Sequence, residues 1–303
     1  MNTNYVLKYF EYLLKRLCHY FITDRNYREY RFYRDFKFRP NKVSPKTFNE
    51  KIMYRMLMQR SNPIFTQLAD KYQARAWVRE HAGSQYLIPL CGIFSHADKI
   101  NFSLLPKKFV LKCNHDCGSV VICLDKEKFD KYQACKKLAF RMKRNQYYSS
   151  REWQYRDIKP RIMCEEYVDL SDEWFDGYRA DIYRVHCFEG RPVWLEVEYV
   201  EFTGIRHSCI YDITWTLQPV LMGYPNPAVS IPAPLRLPEL LDVATKLTQG
   251  IDYCRADFYV TYEQILFSEF TFSPSNGREI FTPQSWDQEF GKLWKITEIE
   301  EPN

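Results

Sequence analysis

Residues 254–272 read CRADFYVTYEQILFSEFTF. Two apolar-rich runs flank a polar tip, which is the pattern of a β-hairpin. With Tyr262-Glu263-Gln264 as the tip, Thr261 faces Ile265. Stepping down the ladder then sets Asp257 opposite Glu269 and Arg255 opposite Thr271. Side chains alternate along a strand, so these four share one face, and Ala256, Phe258, Phe270 and Phe272 share the other. Like charges directly across a ladder destabilise it. A cation removes that objection, and Mg²⁺ accepts such a pair, taking one or two carboxylates together with waters and phosphate oxygens. The competing account is a solvated face on which Arg255 neutralises one of the acids.

The surrounding chain has 303 residues, 46% of them hydrophobic. That is enough for a substantial core in two or three structural units. No repeat at a solenoid period is visible. The ten cysteines show no paired framework. The opening stretch MNTNYVLKYFEYLLKRLCHYF is interrupted by Lys8, Glu11, Lys15 and Arg16, so it does not read as a signal peptide. No run approaches the roughly 20 apolar residues of a membrane span. The expectation is a cytoplasmic protein with reduced thiols. Cys113, His115, Cys117 and Cys123 fit no zinc spacing and read as buried or loop residues.

The net charge of +5 lies wholly in residues 1–40, which hold nine Lys/Arg and four acids. The rest is balanced, so no nucleic-acid partner is expected. Within the arm, Val6, Phe10, Leu14, Leu17 and Phe21 recur at spacings of three and four and predict an amphipathic helix, with Lys8, Glu11 and Lys15 opposite. The aromatic and basic run YREYRFYRDFKFR follows over residues 27–39. The simpler expectation is that the arm docks on the body with its arginines in solvent. The alternatives are adhesion to an anionic membrane surface and a basic arm that binds RNA.

Residues 45–80 predict helices, with Lys71 and Arg75 four apart on one helical face. Strands are expected over residues 86–94 and 161–168, and as a pair within KKFVLKCNHDCGSVVICLD, with a helix over 126–144. A long hairpin turns at Glu189-Gly190. Residues 221–238 are proline-rich and read as a connection. Pro238 then opens the helix PELLDVATKLTQG, which Gly250 ends. The mixed order makes the class α+β. Two further stretches suggest chemistry. Lys112 ends the strand FVLK ahead of NHDCGS, so an ammonium and a glycine-containing turn can face a polyphosphate. In Glu165-Glu166-Tyr167-Val168 alternation turns one glutamate inward, beside a backbone edge suited to an adenine. Arg206 and His207 read either as part of a surface loop or as a pair able to face a substrate carboxylate.

Taken in order, SPKTFNEKI, ADKYQARAWV, YLIPLCGIF, LPKKFVLKCNHDCGS, EWQYRDIKPRIMCEEYV, CFEG, YDITW, CRADFYV and FSEFTFSPSNG form a set that spans residues 44–290. This set resembles the TupA-like (teichuronopeptide-biosynthesis type) ATP-grasp family of bacterial surface-polysaccharide gene clusters. The resemblance implies an ATP-grasp fold behind a helical arm (1–43). Its parts would be an N-terminal subdomain (44–105), a lid (106–165) and a C-terminal α+β subdomain with the metal site (166–303), with ATP between lid and C-terminal unit. It implies ATP and Mg²⁺ as cofactors, Asp257, Glu269 and Thr271 as metal ligands, and Arg255 with Lys112 as catalytic cations. Arg75 and Lys112 would bind phosphate, beside Gly118 and Ser119 of the loop. Glu165, Glu166 and Val168 would serve the adenine, and Asp181 or Asp172 the ribose.

The activity implied is a carboxylate–amine ligase working through an acyl-phosphate. Its partners would be a small amine (an amino acid or amino alcohol) and a glycan containing a uronic acid. Two positions depart from the pattern. Thr271 stands where many ATP-grasp enzymes have Asn, and Asp116-Cys117 stands where relatives often show a Gly-Ser pair. These departures keep a non-catalytic scaffold open as a reading. A glycosyltransferase of the same pathway is a further alternative, although neither a DxD motif nor a glycine-rich first βα turn is convincing here.

Overall fold

The computed structural model describes residues 3–58 and 62–296. In chain order the helices are α1 (Thr3–Cys18), α2 (Asp24–Phe36), α3 (Phe48–Met58), α4 (Pro63–Ala69), α5 (Ala74–His81), α6 (Lys131–Met142), α7 (Gln146–Ser150), α8 (Leu237–Thr248) and α9 (Trp286–Leu293). The strands are β1 (Leu90–Phe94), β2 (Phe109–Cys113), β3 (Val121–Cys123), β4 (Ile162–Glu166), β5 (Trp174–Phe175), β6 (Tyr178–Phe188), β7 (Arg191–Glu201), β8 (Arg206–Asp212), β9 (Leu221–Met222), β10 (Tyr253–Val260), β11 (Ile265–Thr271) and β12 (Phe281–Thr282). They form two compact units that interleave along the chain. One takes residues 3–31, 62–73 and 88–168, and the other 32–58, 74–87 and 169–296. Residues 44–105 therefore contribute to both.

The first unit is built on an antiparallel sheet in the order β1-β4-β2-β3. α6 covers one face, with Leu138 packing among Phe109, Leu111, Cys113, Ile162 and Cys164. Asp130 caps this helix by accepting from the Gln133 N–H, and Asn145 caps α7 by accepting from Tyr147. Such side chains satisfy donors that the first helical turn leaves unpaired.

The arm docks on this unit, but not through its apolar row. Tyr12 is the buried residue of α1 at 2% exposure, whereas Phe10 and Phe21 are 60% and 81% exposed. Tyr5 packs on Phe140, the Tyr12 hydroxyl accepts from the Asn145 N–H at 3.1 Å, and His19 meets Tyr147 and Tyr148 edge-on. Nor are all the arm's arginines in solvent. Arg28 is buried and donates to the carbonyls of Ser150 and Arg151.

The second unit holds a larger antiparallel sheet, β11-β10-β6-β7-β8, with β5 beside β6. The β6–β7 hairpin turns at Glu189-Gly190, both in the left-handed region that a tight two-residue turn requires. Both turn N–H groups donate back, to Asp252 and Ile251 carbonyls. One face of the sheet is covered by α8, whose Leu240, Val243, Ala244 and Leu247 are fully buried. α5 joins α8, with the Trp77 indole donating to the Leu247 carbonyl. On the opposite face, Phe48 of α3 with Phe290 and Trp294 at α9 pack over Phe188, Ile210 and Tyr253. The connection over 221–238 contains β9, which pairs with β12.

The SPKTFNEKI segment is the joint of this second core. Thr47 and Glu50 form a reciprocal capping box at the start of α3, Thr47 N–H to Glu50 Oε2 at 3.2 Å and Glu50 N–H to Thr47 Oγ1 at 3.2 Å. The Asn49 amide bridges both backbone groups of Glu279, and its own N–H donates to Asp287. Gly291 of α9 lies directly on this turn. A Cβ there would run into the Lys46 carbonyl and sit 2.8 Å from Thr47 C and 2.9 Å from Phe48 N, all of it backbone. Gly291→Ala is therefore expected to cost about 1–3 kcal/mol by overpacking. A urea titration followed by tryptophan fluorescence checks this, and an unchanged midpoint would show that α9 can shift away freely.

Candidate functional site

In the second unit, the β10–β11 ladder pairs Asp257 with Glu269 and Arg255 with Thr271, as the sequence suggests. The route to that register differs. The tip is one residue shorter, with Val260 opposite Ile265 and the Thr261 N–H closing onto the Gln264 carbonyl. A β-bulge between Asp257 and Phe258 then places Phe258 opposite Phe267, and Ser268 is the extra residue that restores the lower register.

The acids do not stand as an isolated pair. Asp257 is 1% exposed, and Arg255 grips it with two hydrogen bonds of 2.9 Å from Nε and one terminal nitrogen. That nitrogen also donates to Thr271 Oγ1 at 3.3 Å. β6 lies beside β10 with Arg184 opposite Asp257, and β7 continues with Glu196 opposite Arg184. Arg184 donates to Glu196 at 2.7 Å and Glu198 at 2.6 Å, and its Nε lies 3.7 Å from Asp257. His186 approaches Glu196 at 3.3 Å. Glu196, Glu198, Asp257 and Glu269 thus share one sheet face with Arg184 and Arg255.

Burial sets the protonation of this face. It pushes Asp257 up to about 6, with Glu269 adding to the rise and Arg255 and Arg184 opposing it. Burial also disfavours the charge on Glu196. Arg184, His186 and Arg255 together outweigh it and hold Glu196 well below the usual carboxylate range. Arg255 is raised in turn, because Asp257 and Glu196 overcome its own desolvation. Glu279, beyond β11, is raised by burial, and it lies close enough to feel Glu196 and Arg255.

This donor set suits a hard divalent cation. Each Asp257 oxygen retains a second lone pair beyond its bond to Arg255, and Glu269 lies directly across the ladder. Among the described residues no three His, Cys, Asp or Glu side chains gather as a metal-binding group. A bound ion would thus complete its shell with water or phosphate oxygens, as Mg²⁺ does. Thr271 is on the same face, its hydroxyl directed at Arg255. Asp181, on β6, pairs with Arg179 at 2.6 Å and lies 3.6 Å from Arg206, whereas Asp172 is exposed ahead of β5. Arg206 also reaches Glu198 at 3.3 Å, at the edge of the charged face. His207 does not accompany it. As the next residue on β8 it points to the other side, with its ring nitrogens on Glu201 and the Asn226 carbonyl. Arg75 is half-buried in the first turn of α5.

In the first unit, Lys112 and Glu165 form a buried ion pair of 2.7 Å between adjacent strands β2 and β4. Glu165 is the inward member of its pair, and Glu166 is exposed with its N–H on the Pro89 carbonyl. Val168 lies just beyond, half-buried. The loop after Lys112 is clamped. Asp116 turns back onto Arg141, which also donates to the Cys117 carbonyl, and Lys71 donates to the Asp116 carbonyl at 2.9 Å. Gly118 adopts φ +87°, a region that only glycine enters without strain. Ser119 is buried, its hydroxyl accepting from the Cys113 N–H at 2.7 Å. Lys71 does not share a helix with Arg75. Asp70 accepts from the Tyr72 and Gln73 N–H groups and ends α4, so Lys71 belongs to a turn and α5 begins at Ala74.

Sequence reasoning missed Arg184, His186, Glu196, Glu198 and Glu279. The signal for the first four was present: once the turn at Glu189-Gly190 is placed, each pair lies two apart on its strand and alternation puts it on one face. Glu279 carried no such signal, because it enters by way of an irregular loop.

The family model agrees with this architecture. Residues 50–295 match the model of the TupA-like ATP-grasp proteins. The α+β fold with its antiparallel sheets is thus the ATP-grasp fold, and the chain belongs to the TupA-like ATP-grasp family. No curated protein matches. Among solved structures, the D-alanine–D-alanine ligase of Bacillus anthracis complexed with ATP is 16% identical with a TM-score of 0.40, over 75% of this chain and 62% of that one. A RimK-domain ATP-grasp protein of Sphaerobacter thermophilus is 11% identical with a TM-score of 0.38, over 83% and 72%. The chain thus spans less than two thirds of the length of the Bacillus anthracis ligase.

Two outcomes follow from this geometry. Arg141→Ala leaves Asp116 buried without its cation, an arrangement that costs about 3–5 kcal/mol. Amide exchange over residues 115–119 should accelerate, and unchanged exchange would mean that the loop holds without the clamp. His186 is wholly buried, and desolvation lowers its pKa despite Glu196. The stability tied to its neutral ring is therefore complete above about pH 6.5 and declines as pH falls through the lowered folded value. Ring ¹⁵N shifts at about pH 6 should show His186 neutral, and a protonated ring there would refute the assignment.

Proposed function

We propose that this protein is an ATP- and Mg²⁺-dependent carboxylate–amine ligase that forms an amide through an acyl-phosphate. The observation that carries the reading is the sheet face on which Asp257 lies directly opposite Glu269 with Arg255 bound to Asp257. Membership of an ATP-grasp family supports the nucleotide. Asp257 and Glu269 would hold Mg²⁺, with Thr271 beside them. The ion would neutralise charge on the phosphates.

In this reading a substrate carboxylate oxygen attacks the γ-phosphorus, the bond to the β–γ bridging oxygen breaks, and ADP leaves. An amine nitrogen then attacks the acyl carbon, inorganic phosphate departs, and the nitrogen loses a proton. The substrate supplies both nucleophiles, so the protein's part is to position and to stabilise charge. Arg255 is fixed by its two bonds to Asp257 and presents a rigid cation to the phosphoryl oxygens. Lys112 and Arg75 would bind phosphate, with the Gly118-Ser119 turn alongside. Glu165, Glu166 and Val168 would accommodate the adenine, and Asp181 the ribose. Asp116 is no obstacle to this assignment, since its charge is already taken up by Arg141. The acceptor would be a uronic acid of a capsule or O-antigen, and the donor an amino acid or amino alcohol.

The test is ADP release from purified protein given ATP, Mg²⁺, a uronic-acid glycan and a mixed set of amines, with the product read by mass shift. Asp257→Asn should lower turnover by about a hundredfold or more, the scale on which electrostatic groups act, while circular dichroism stays unchanged. Nucleotide binding without turnover for every amine would favour a scaffold, and preference for a nucleotide sugar over ATP would favour a glycosyltransferase.

A further inference from the structure

α1 presents an amphipathic surface that the fold does not use. The helix is fixed to the first unit by its polar aromatic side, through Tyr5, Tyr9, Tyr12 and His19. Cation–ring contacts reinforce that seat, with Lys136 over Tyr5, Arg144 over Tyr12 and Arg16 over Tyr148. The side chains of Leu7, Phe10, Leu14, Leu17, Tyr20 and Phe21 are left outside, each between 47% and 81% exposed. At 100° per residue Leu7, Phe10, Leu14 and Leu17 fall within a single arc of α1, and Tyr20 and Phe21 extend the exposed apolar surface into the turn that follows the helix. An apolar helix face normally turns to the core, and here a tyrosine face has taken that place. Contiguous exposed apolar surface on this scale marks an interaction site.

The charges carried by the rest of the arm bear on its partner. Lys8, Arg16 and Arg25 are exposed. The acids nearby are already neutralised: Glu11 is bridged to Lys15 at 2.5 Å, and Asp24 is buried against Tyr147 and Arg151. A bilayer carrying anionic lipid offers apolar depth and negative charge together. An amphipathic helix with basic residues off its apolar face and aromatics on it is the kind that lies in the headgroup layer. The helix is about 24 Å long, and no described helix is long and apolar enough to cross a membrane.

We propose that the outer face of α1 and the turn after it seat this protein on an anionic membrane surface, with Phe10, Leu14 and Leu17 of the helix and Phe21 of the turn entering the boundary between headgroups and acyl chains. Because the helix is held by its opposite side, it meets the bilayer as a preformed element and has no folding cost to recover on binding. This differs from a disordered basic tail, which would order only at the surface.

The experiment is flotation of the full chain with two vesicle types, pure phosphatidylcholine and phosphatidylcholine containing phosphatidylglycerol. Binding to the anionic vesicles is expected, weakened by salt through screening of the basic residues. The double variant Phe10→Glu, Leu17→Glu should lower the partition coefficient at least about tenfold, since each side chain contributes on the order of a tenfold factor when buried. Both positions are exposed, so the variant should retain the wild-type urea midpoint, and that measurement separates lost binding from lost folding. Absence of binding to either vesicle, or flotation unaffected by the double variant, overturns the proposal. So does a wild-type dimer in lipid-free solution that the double variant converts to monomer, because the apolar surface would then be covered by a second copy.

Discussion

The second unit is organised by the need to keep four carboxylates on one face of a sheet. Two arginines meet most of that need. Arg255 binds Asp257 from the same strand, and Arg184 spans Glu196 and Glu198 from the neighbouring one. Breaking a buried pair leaves an uncompensated charge at a cost of several kcal/mol, whereas the intact pair gains little over an apolar substitute. Such a cluster is therefore a poor way to stabilise a fold and a good way to fix the positions of charges. The rest of the unit makes those positions rigid. α8 closes one side of the sheet, and α3 with α9 closes the apolar part of the other. Arg55, buried beside Trp294, reaches Asp252 and the carbonyls of Tyr253 and Phe272. It thereby ties the start of β10 to the residue after β11.

Much of this was legible in the sequence, and one part was right for the wrong reason. The Asp257–Glu269 register follows from a tip one residue too long. The structure reaches the same pairing through a shorter tip and one bulged residue. Alternation alone cannot separate these routes, because a tip change and a bulge shift the ladder by the same amount in opposite senses. The β6–β7 hairpin was easier, since Glu189-Gly190 demands a turn that few other residue pairs can make. What that turn implied about Arg184 and Glu196 was available and went unread.

The helical arm shows a different limit. A spacing of three and four identifies an apolar face and says nothing of what the face touches. Here tyrosines and a histidine carry the docking, because aromatic rings with polar ends can bury area and still satisfy hydrogen bonds. The SPKTFNEKI segment shows the converse. It was informative as a family mark, yet Thr47, Asn49 and Glu50 are occupied with capping α3 and joining it to α9 and Glu279. Their role is architectural, and only coordinates distinguish that from chemistry.

The turn at Glu189-Gly190 has a consequence for the order of assembly. Its strands are adjacent in sequence, so closing them loses little chain entropy, whereas β10 must return across more than sixty residues to pair with β6. The two turn amides are the groups that hold Ile251 and Asp252, immediately ahead of β10. An early hairpin therefore offers the late strand a docking point at its first residues. From there β10 can zip along β6 and carry its aspartate to the arginine already waiting opposite.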